Sequence, residues 1–166
     1  MDFLGSIEQT SLSMWVRESG SIWAFPTILV LHTMGMSIVA GLSGLIDLRL
    51  LGMWPQMRFK PLESLYPLMW WGFILNAITG PLLLMSDAAT KGRNPDFYLK
   101  MVFILIGVVV LKRMRTSVFG NPHIDSKPVP ADARNLAWVS LACWLGAITA
   151  GRLLAYVGPV AGLVKQ

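Results

Sequence analysis

The sequence has few charged residues and a single cysteine, and both shortages narrow the class of protein. Only 14% of its 166 residues are Asp, Glu, Lys or Arg, whereas about a quarter is usual in soluble domains. Hydrophobic residues make up 54% of the chain, and the mean hydropathy is +0.57. Cys143 has no second cysteine with which to form an intrachain disulfide. The composition argues against a soluble or disulfide-stabilised domain and favours a membrane protein.

Motifs for several common kinds of chemistry are also missing. The chain has no Cys-x-x-Cys-His segment, no paired-histidine zinc spacing, no glycine-rich nucleotide loop and no recognisable nucleophile–base pair. We therefore expect neither hydrolysis nor nucleotide-dependent chemistry. Methionines are scattered through the chain, and we expect Met34 and Met36, which flank His32, to pack rather than to bind a metal.

The apolar residues cluster into four long runs. A helix that crosses about 30 Å of hydrocarbon needs about 20 residues, and backbone groups in lipid must be hydrogen-bonded within the segment. The third run is the shortest, but Lys100 and Lys112 can extend from its ends towards the lipid headgroups. The sequence predicts an all-α membrane protein, a four-transmembrane-helix bundle in one domain (1–166), with helices at about 21–46, 65–86, 97–115 and 134–157 and a short interfacial helix within 1–20.

The net charge of +5 would indicate a nucleic-acid partner in a soluble protein, but here its distribution fits a membrane protein better. Basic residues are concentrated after the first and third predicted helices, and such loops usually stay in the cytoplasm. We therefore expect both termini on the outer side and no nucleic-acid partner. The residues concerned are Arg49, Arg58, Lys60, Lys112, Arg113, Arg115, Lys127 and Arg134.

Several polar side chains fall inside the apolar runs, where they are costly and usually functional. Counted from the helix ends at about 1.5 Å per residue, they gather in the outer half of the predicted bundle, and no carboxylate is among them. Tyr156 follows Arg152 by one helical turn, on the same face. The candidate site residues are His32, Asn76, Thr79, Lys100, Arg152 and Tyr156.

Buried cations without an acidic partner favour a bound anion. Haem b is one candidate, because His32 offers a neutral imidazole as a tentative iron ligand, and Lys100 and Arg152 could hold the propionates. A quinone head group, a phospholipid phosphate or a small anionic substrate would also suit the cations. Alternatively, His32 donates to a carbonyl of a neighbouring helix, and both cations extend to lipid headgroups. His123 is expected on the opposite side of the membrane, too far away to be a second ligand.

The inner end of the first helix carries the segment DLRLLG, which contains Asp47 and Arg49. We expect these residues and the basic end of the third helix to form one solvated basic face. This face would set the orientation of the protein in the membrane and contact anionic lipid. Small residues spaced four apart, such as Ser37 and Gly41 in the first helix and Ala147 and Gly151 in the last, predict that these two helices touch.

Six segments link the chain to a known pattern: RESGSIWAF, LHTMG, DLRLLG, ITG, NPDFYLKM and SLACWLGAITAGRLLAY. With them the chain resembles an uncharacterised family of small bacterial four-helix inner-membrane proteins. A more distant similarity is to cytochrome-b-like and CopD-like bundles, in which histidines of neighbouring helices hold haem or copper, and it is an analogy of fold. The resemblance implies a bacterial inner-membrane location and importance for His32, Asp47, Arg49, Lys100 and Arg152.

This chain departs from the family pattern near the inner end of its third helix. Leu111 and Arg115 stand where members often carry histidines. A haem held by two histidines of helices one and three is therefore not expected, which leaves a five-coordinate haem, a haem shared with a partner subunit, or no haem.

Two functional hypotheses follow from the sequence. In the first, the protein is a membrane subunit that binds haem b through His32 and exchanges electrons with quinone or with a partner on the outer face. In the second, it is a non-catalytic accessory subunit that anchors or stabilises a larger membrane complex of other subunits or of its own copies. Whether it is an enzyme stays open at this point.

Overall fold

A computed structural model describes residues 3–120, 124–125 and 128–156, and every regular element within these ranges is helical. The helix α7 continues directly into a π-helical turn, Arg115–Phe119. The last helix ends at Tyr156, and residue 157, where it was predicted to end, lies outside the described ranges. The helices are α1 (Phe3–Glu8), α2 (Ser11–Glu18), α3 (Phe25–Leu50), α4 (Lys60–Glu63), α5 (Tyr66–Met85), α6 (Ala88–Lys91), α7 (Pro95–Met114) and α8 (Ala131–Tyr156).

Three segments are long and apolar enough to cross a membrane: Phe25–Leu50, Lys60–Met85 and Ala131–Leu154. The helix α7 is 20 residues long but carries Asp96, Lys100, Lys112 and Arg113, so its composition alone does not mark it as a span. The all-α class is confirmed, and the part of the chain that the structure describes contains three candidate membrane spans rather than the predicted four.

The surface of the long helices is strongly apolar. Val30 is 56% exposed, Trp71 69% and Leu105 66%. Contiguous apolar surface of this kind is rare on soluble monomers. Side chains of this type fit helices that face lipid or a partner within the membrane.

The helix α3 packs against α5 and α8, and α7 packs against α8; Leu111 of α7 also lines a small cavity with Val39 of α3 and Tyr66 of α5. Gly35 of α3 and Gly72 of α5 make the closest approach, because a Cβ atom on Gly35 would lie 2.8 Å from the Gly72 carbonyl oxygen. Only a residue without a side chain fits at this crossing. Small residues therefore bring helix backbones together here, as is common in membrane bundles.

The predicted contact between the first and last long helices is confirmed. Of the small residues spaced four apart in α3, Gly44 faces α8, where the Leu141 side chain lies 4.0 Å from the position of an added Cβ atom. The Ser43 hydroxyl of α3 lies 3.0 Å from the Ser140 hydroxyl of α8. Gly41 is exposed, and a Cβ atom added there would meet nothing within 4 Å. Gly146 and Gly151 of α8 instead face side chains of α7.

The hydrophobic core lies at the end of the bundle that contains Phe59 and Asp125, which we call the loop half. The Phe59 amide donates to the Asp125 carboxylate at 2.7 Å, so the connections before α4 and before α8 meet at this end. This contact brings the two predicted basic loops to the same side of the bundle. The core includes Ile46, Leu50, Phe59, Tyr66, Leu111, Met114 and Val118.

The N-terminal helices α1 and α2 dock at the opposite end, which we call the terminal half. The Ser13 hydroxyl donates to the carbonyl of Met85, the last residue of α5, at 2.7 Å. The Glu8 carboxylate accepts from the Ala89 amide of α6, also at 2.7 Å. The single short helix predicted for residues 1–20 is thus two helices, and both are attached to the bundle by hydrogen bonds.

Candidate functional site in the terminal half

His32 lies in the terminal half of α3 and is fixed by one hydrogen bond. Its Nδ1 atom is 2.9 Å from the Thr79 hydroxyl oxygen of α5, and that hydroxyl donates its only proton to the Leu75 carbonyl at 2.7 Å. When that hydroxyl donates to Leu75 it can only accept from His32, and Nδ1 is then the protonated nitrogen. In a neutral imidazole the lone pair then lies on Nε2. The imidazole presents Nε2 as an acceptor or metal ligand.

Gly80 makes room for this imidazole. A Cβ atom at Gly80 would lie 3.4 Å from Cε1 of His32, so the ring lies directly against α5 at this position. Thr79 thus positions the imidazole through a hydrogen bond, and its neighbour Gly80 leaves space for the ring because it has no side chain. Both belong to the ITG segment quoted above.

Lys100 enters the same region from α7. Its ammonium nitrogen lies against Gly151 of α8, 3.4 Å from the position that a Cβ atom would take there. It is close enough to His32 for the two side chains to interact electrostatically. Asp87, a carboxylate just after the end of α5, lies 3.8 Å from Lys91. Within the described residues, Lys100 has no ion pair or hydrogen bond of its own.

Asn76 lies next to this site, at the crossing of α3 and α5. Its side-chain amide donates to the Gly72 carbonyl at 3.1 Å, and it would lie 2.7 Å from a Cβ atom on Gly35. Its Oδ1 atom is buried without a hydrogen-bond partner in the described part of the chain. Asn76 therefore occupies the helix crossing, and its Oδ1 atom is an acceptor that no described residue uses.

Arg152 and Tyr156 lie on the exposed side of α8. The Arg152 guanidinium is 5.9 Å from the centre of the Tyr156 ring, as their spacing of one turn predicted. Both side chains are exposed, whereas His32 and Lys100 are partly enclosed. The structure thus gathers His32, Thr79 and Lys100, and a binding role for Arg152 and Tyr156 stays a prediction.

The expectation for the DLRLLG segment is wrong. Asp47 has no exposed surface, and its carboxylate oxygen Oδ2 is 3.4 Å from the Ser43 hydroxyl. It is therefore not part of a solvated face, and a carboxylate does lie among the polar groups of a candidate span. The sequence did contain one sign of this burial, because Ser43 precedes Asp47 by one helical turn. The second partner of Asp47, Ser140, comes from a helix that is distant in the sequence.

Arg49 is half-buried and is held by contacts with the connection that follows α3. Its Nε donates to the Met57 carbonyl at 2.6 Å and one terminal nitrogen donates to the Pro55 carbonyl at 3.1 Å. The guanidinium also lies 4.2 Å from the centre of the Phe59 ring. Arg49 thus organises the connection between α3 and α4.

Comparisons with protein families, with curated proteins and with solved structures found no match for this chain. The family resemblance therefore stays a prediction that rests on the quoted motifs. Within the residues that the structure describes, no group of three or more His, Cys, Asp or Glu side chains could hold a metal ion. His123 lies outside the described residues.

Proposed function

We propose that the chain is a four-span protein of the bacterial inner membrane, with α7 as the fourth span and both termini in the periplasm. A 20-residue helix is about 30 Å long, enough to cross the hydrocarbon. The charges of α7 support this because Asp96 lies in its first turn and Lys112 and Arg113 in its last. Its middle exposes Leu105 and Val109. The basic loop half would face the cytoplasm.

Its function, in this proposal, is that of a small redox subunit that binds haem b through His32 and exchanges electrons with quinone or with a periplasmic partner. The observation that carries the proposal is the hydrogen bond between His32 Nδ1 and Thr79, because an Nδ1 proton donated to Thr79 leaves Nε2 as a ligand. Metal-binding histidines usually have such a partner on their other nitrogen. The described residues offer no second histidine, so the iron would be five-coordinate or shared with another subunit.

The remaining residues of the site would bind and orient the cofactor. Lys100, a partly enclosed cation without a carboxylate partner, would hold a propionate, and Arg152 and Tyr156 would hold a propionate nearer the membrane surface. Haem, when bound, supplies a centre that takes up and releases one electron. Thr79 would keep the imidazole in the ligating tautomer, and the surrounding helices would exclude water.

The test is an absorption spectrum of the detergent-purified protein, supplied with haem, oxidised and then reduced with dithionite. We expect a Soret band and sharpened α and β bands on reduction, and we expect both to be lost in His32→Ala. Met36→Leu is the matched control on the same helix and should keep the spectrum if methionine serves in packing. A spectrum without haem bands from folded wild-type protein would contradict the proposal.

A second candidate function, an accessory or anchoring subunit, is favoured by the free face of α3. This face forms an open apolar groove, lined by Leu29, Val30, Thr33, Met34, Ser37 and Ile38. A transmembrane helix of another subunit, or of a second copy, could cover it through close packing at the small residues. Deletion of the chain should then destabilise the complex that co-purifies with it. A stable and active complex after deletion would count against this function.

A further inference from the structure

A second enclosed polar cluster lies in the loop half, away from His32. Asp47 and Ser43 of α3 and Ser140 of α8 have no exposed surface, and Tyr66 of α5 is 2% exposed. The Ser43 hydroxyl is 3.4 Å from Asp47 and 3.0 Å from the Ser140 hydroxyl. Tyr66 is close enough to Asp47 for an electrostatic interaction. We call these four residues the loop-half site.

The polar atoms of this site are incompletely used. Neither Oδ1 of Asp47 nor the Tyr66 hydroxyl has a hydrogen-bond partner among the described residues, although both atoms are buried. Buried polar atoms in native proteins nearly always have a partner. The unused Asp47 oxygen, together with the unused Tyr66 hydroxyl in its neighbourhood, therefore indicates a ligand that accepts lone pairs.

The charge of Asp47 is also unbalanced by the protein. Arg49 is the basic residue nearest to Asp47 in the sequence, but its guanidinium donates to the carbonyls of Pro55 and Met57. Arg115 lies 5.7 Å from the centre of the Tyr66 ring and is exposed. No lysine or arginine of the described chain forms an ion pair with Asp47. An isolated carboxylate in a low-dielectric interior is very costly.

We propose that the loop-half site binds one sodium ion through the Asp47 carboxylate, the hydroxyls of Ser43 and Ser140, and the Tyr66 hydroxyl. All these donors are oxygens, which hard cations prefer. A single carboxylate balances a single positive charge, whereas calcium sites usually combine several carboxylates. The ion would compensate Asp47 and occupy the two unused oxygens at once.

Such an ion would join three helices. Asp47 and Ser43 belong to α3, Ser140 to α8 and Tyr66 to α5. A ligand that binds the folded state alone stabilises it in proportion to the logarithm of its concentration. Sodium should therefore raise the thermal stability of the loop half, and this expectation does not depend on whether His32 binds haem.

The experiment uses the full-length protein in detergent. Its thermal midpoint is measured in choline chloride while sodium chloride replaces it at constant ionic strength, and binding of radioactive sodium is measured in parallel. We expect a saturable rise of the midpoint in the wild type. Asp47→Asn should weaken sodium binding about tenfold or more, by analogy with losses at other metal sites, and Ser140→Ala should weaken it less.

Ser117→Ala is the matched control, because Ser117 is an exposed serine at the same end of the bundle whose hydroxyl donates to the Arg113 carbonyl. It should leave the sodium response unchanged. Ser140→Ala keeps the carboxylate, so it tests the site even if Asp47→Asn does not fold. The proposal is overturned if the wild type shows no sodium response or if Asp47→Asn keeps it. Stabilisation by acid that is equally large with and without saturating sodium would overturn it too, since a proton and sodium should compete for Asp47.

Discussion

The two halves of the bundle differ in how far they enclose their polar residues. In the loop half, Asp47 is wholly enclosed by hydroxyl-bearing side chains and surrounded by apolar residues such as Ile46 and Leu50, both at most 1% exposed. In the terminal half, His32 and Lys100 remain partly accessible, and glycines lie at several of the helix contacts. The same four long helices thus form a dense end and an open end.

This difference indicates a division of labour along the bundle. Regions with few buried apolar contacts open at lower free energy than the core, and binding sites are commonly found in them. The loop half would hold the helices in register, while the terminal half could admit a cofactor or a lipid headgroup. The following predictions test that division, from the largest effect on stability to the smallest.

Leucine truncation on α3 should separate the two halves most clearly. Leu50→Ala removes a side chain that is 1% exposed in the core of the loop half, and the cavity should cost about 2–4 kcal/mol of unfolding free energy. Leu31→Ala, on the same helix but 36% exposed in the terminal half, is the matched control. Denaturant unfolding of both variants in mixed micelles measures the difference. Equal losses would mean that the halves are equally packed.

Glycine substitution should show that the terminal half depends on close backbone approach. Gly35→Ala would place a Cβ atom 2.8 Å from the Gly72 carbonyl, and the required shift of backbone should cost about 1–3 kcal/mol. Gly41→Ala on the same helix meets nothing within 4 Å and should be neutral or slightly stabilising because alanine favours the helix. The thermal midpoints of the two purified variants should therefore move in different directions or by clearly different amounts. Tolerance of alanine at both positions would contradict the close crossing.

Loss of the Thr79 hydroxyl should affect ligand binding more than stability. Thr79→Val removes the acceptor of the His32 Nδ1 proton, and the lost hydrogen bond should cost about 1 kcal/mol. Haem titration should show weaker binding, because the imidazole no longer has one fixed tautomer. Thr27→Val, near the start of α3 with its hydroxyl on the Ile22 carbonyl, serves as the control. If haem binds wild type and Thr79→Val equally, Thr79 does not position His32.

Local apolar runs were sufficient to predict the long helices. The run 65–86 corresponds to Tyr66–Met85, and the predicted 97–115 to Pro95–Met114 with its π-helical turn. The first helix continues one turn beyond the predicted end, to Leu50. The prediction ended too early because it interpreted Asp47 as a polar boundary. The burial of Asp47 depends on Ser140 of α8. Ser140 lies 97 positions from its partner Ser43 in the chain, and no local sequence pattern reveals such a pair.

The candidate site shows the same limit. Depth along the helices placed His32, Thr79 and Lys100 in the same half of the bundle, because rise per residue is nearly constant. The sequence did not indicate that Thr79 bonds to His32, 47 positions away, since that depends on how α3 and α5 are rotated about their axes. Arg152 has the right depth but lies on the exposed side of α8, and depth alone does not distinguish the two faces.

The smallest expected effect concerns the N-terminal helices, which cover the open end of the bundle. Ser13→Ala removes the hydrogen bond to the Met85 carbonyl and should cost about 0.5–1.5 kcal/mol. Since this bond ties α2 to the end of α5, the loss should increase amide hydrogen exchange in α1 and α2 while the loop half exchanges as before. Ser11→Ala, an exposed serine of the same helix, is the control. Faster exchange throughout the bundle would show instead that the terminal half and the loop half unfold as one unit, so that the contrast between them is one of packing and not of stability.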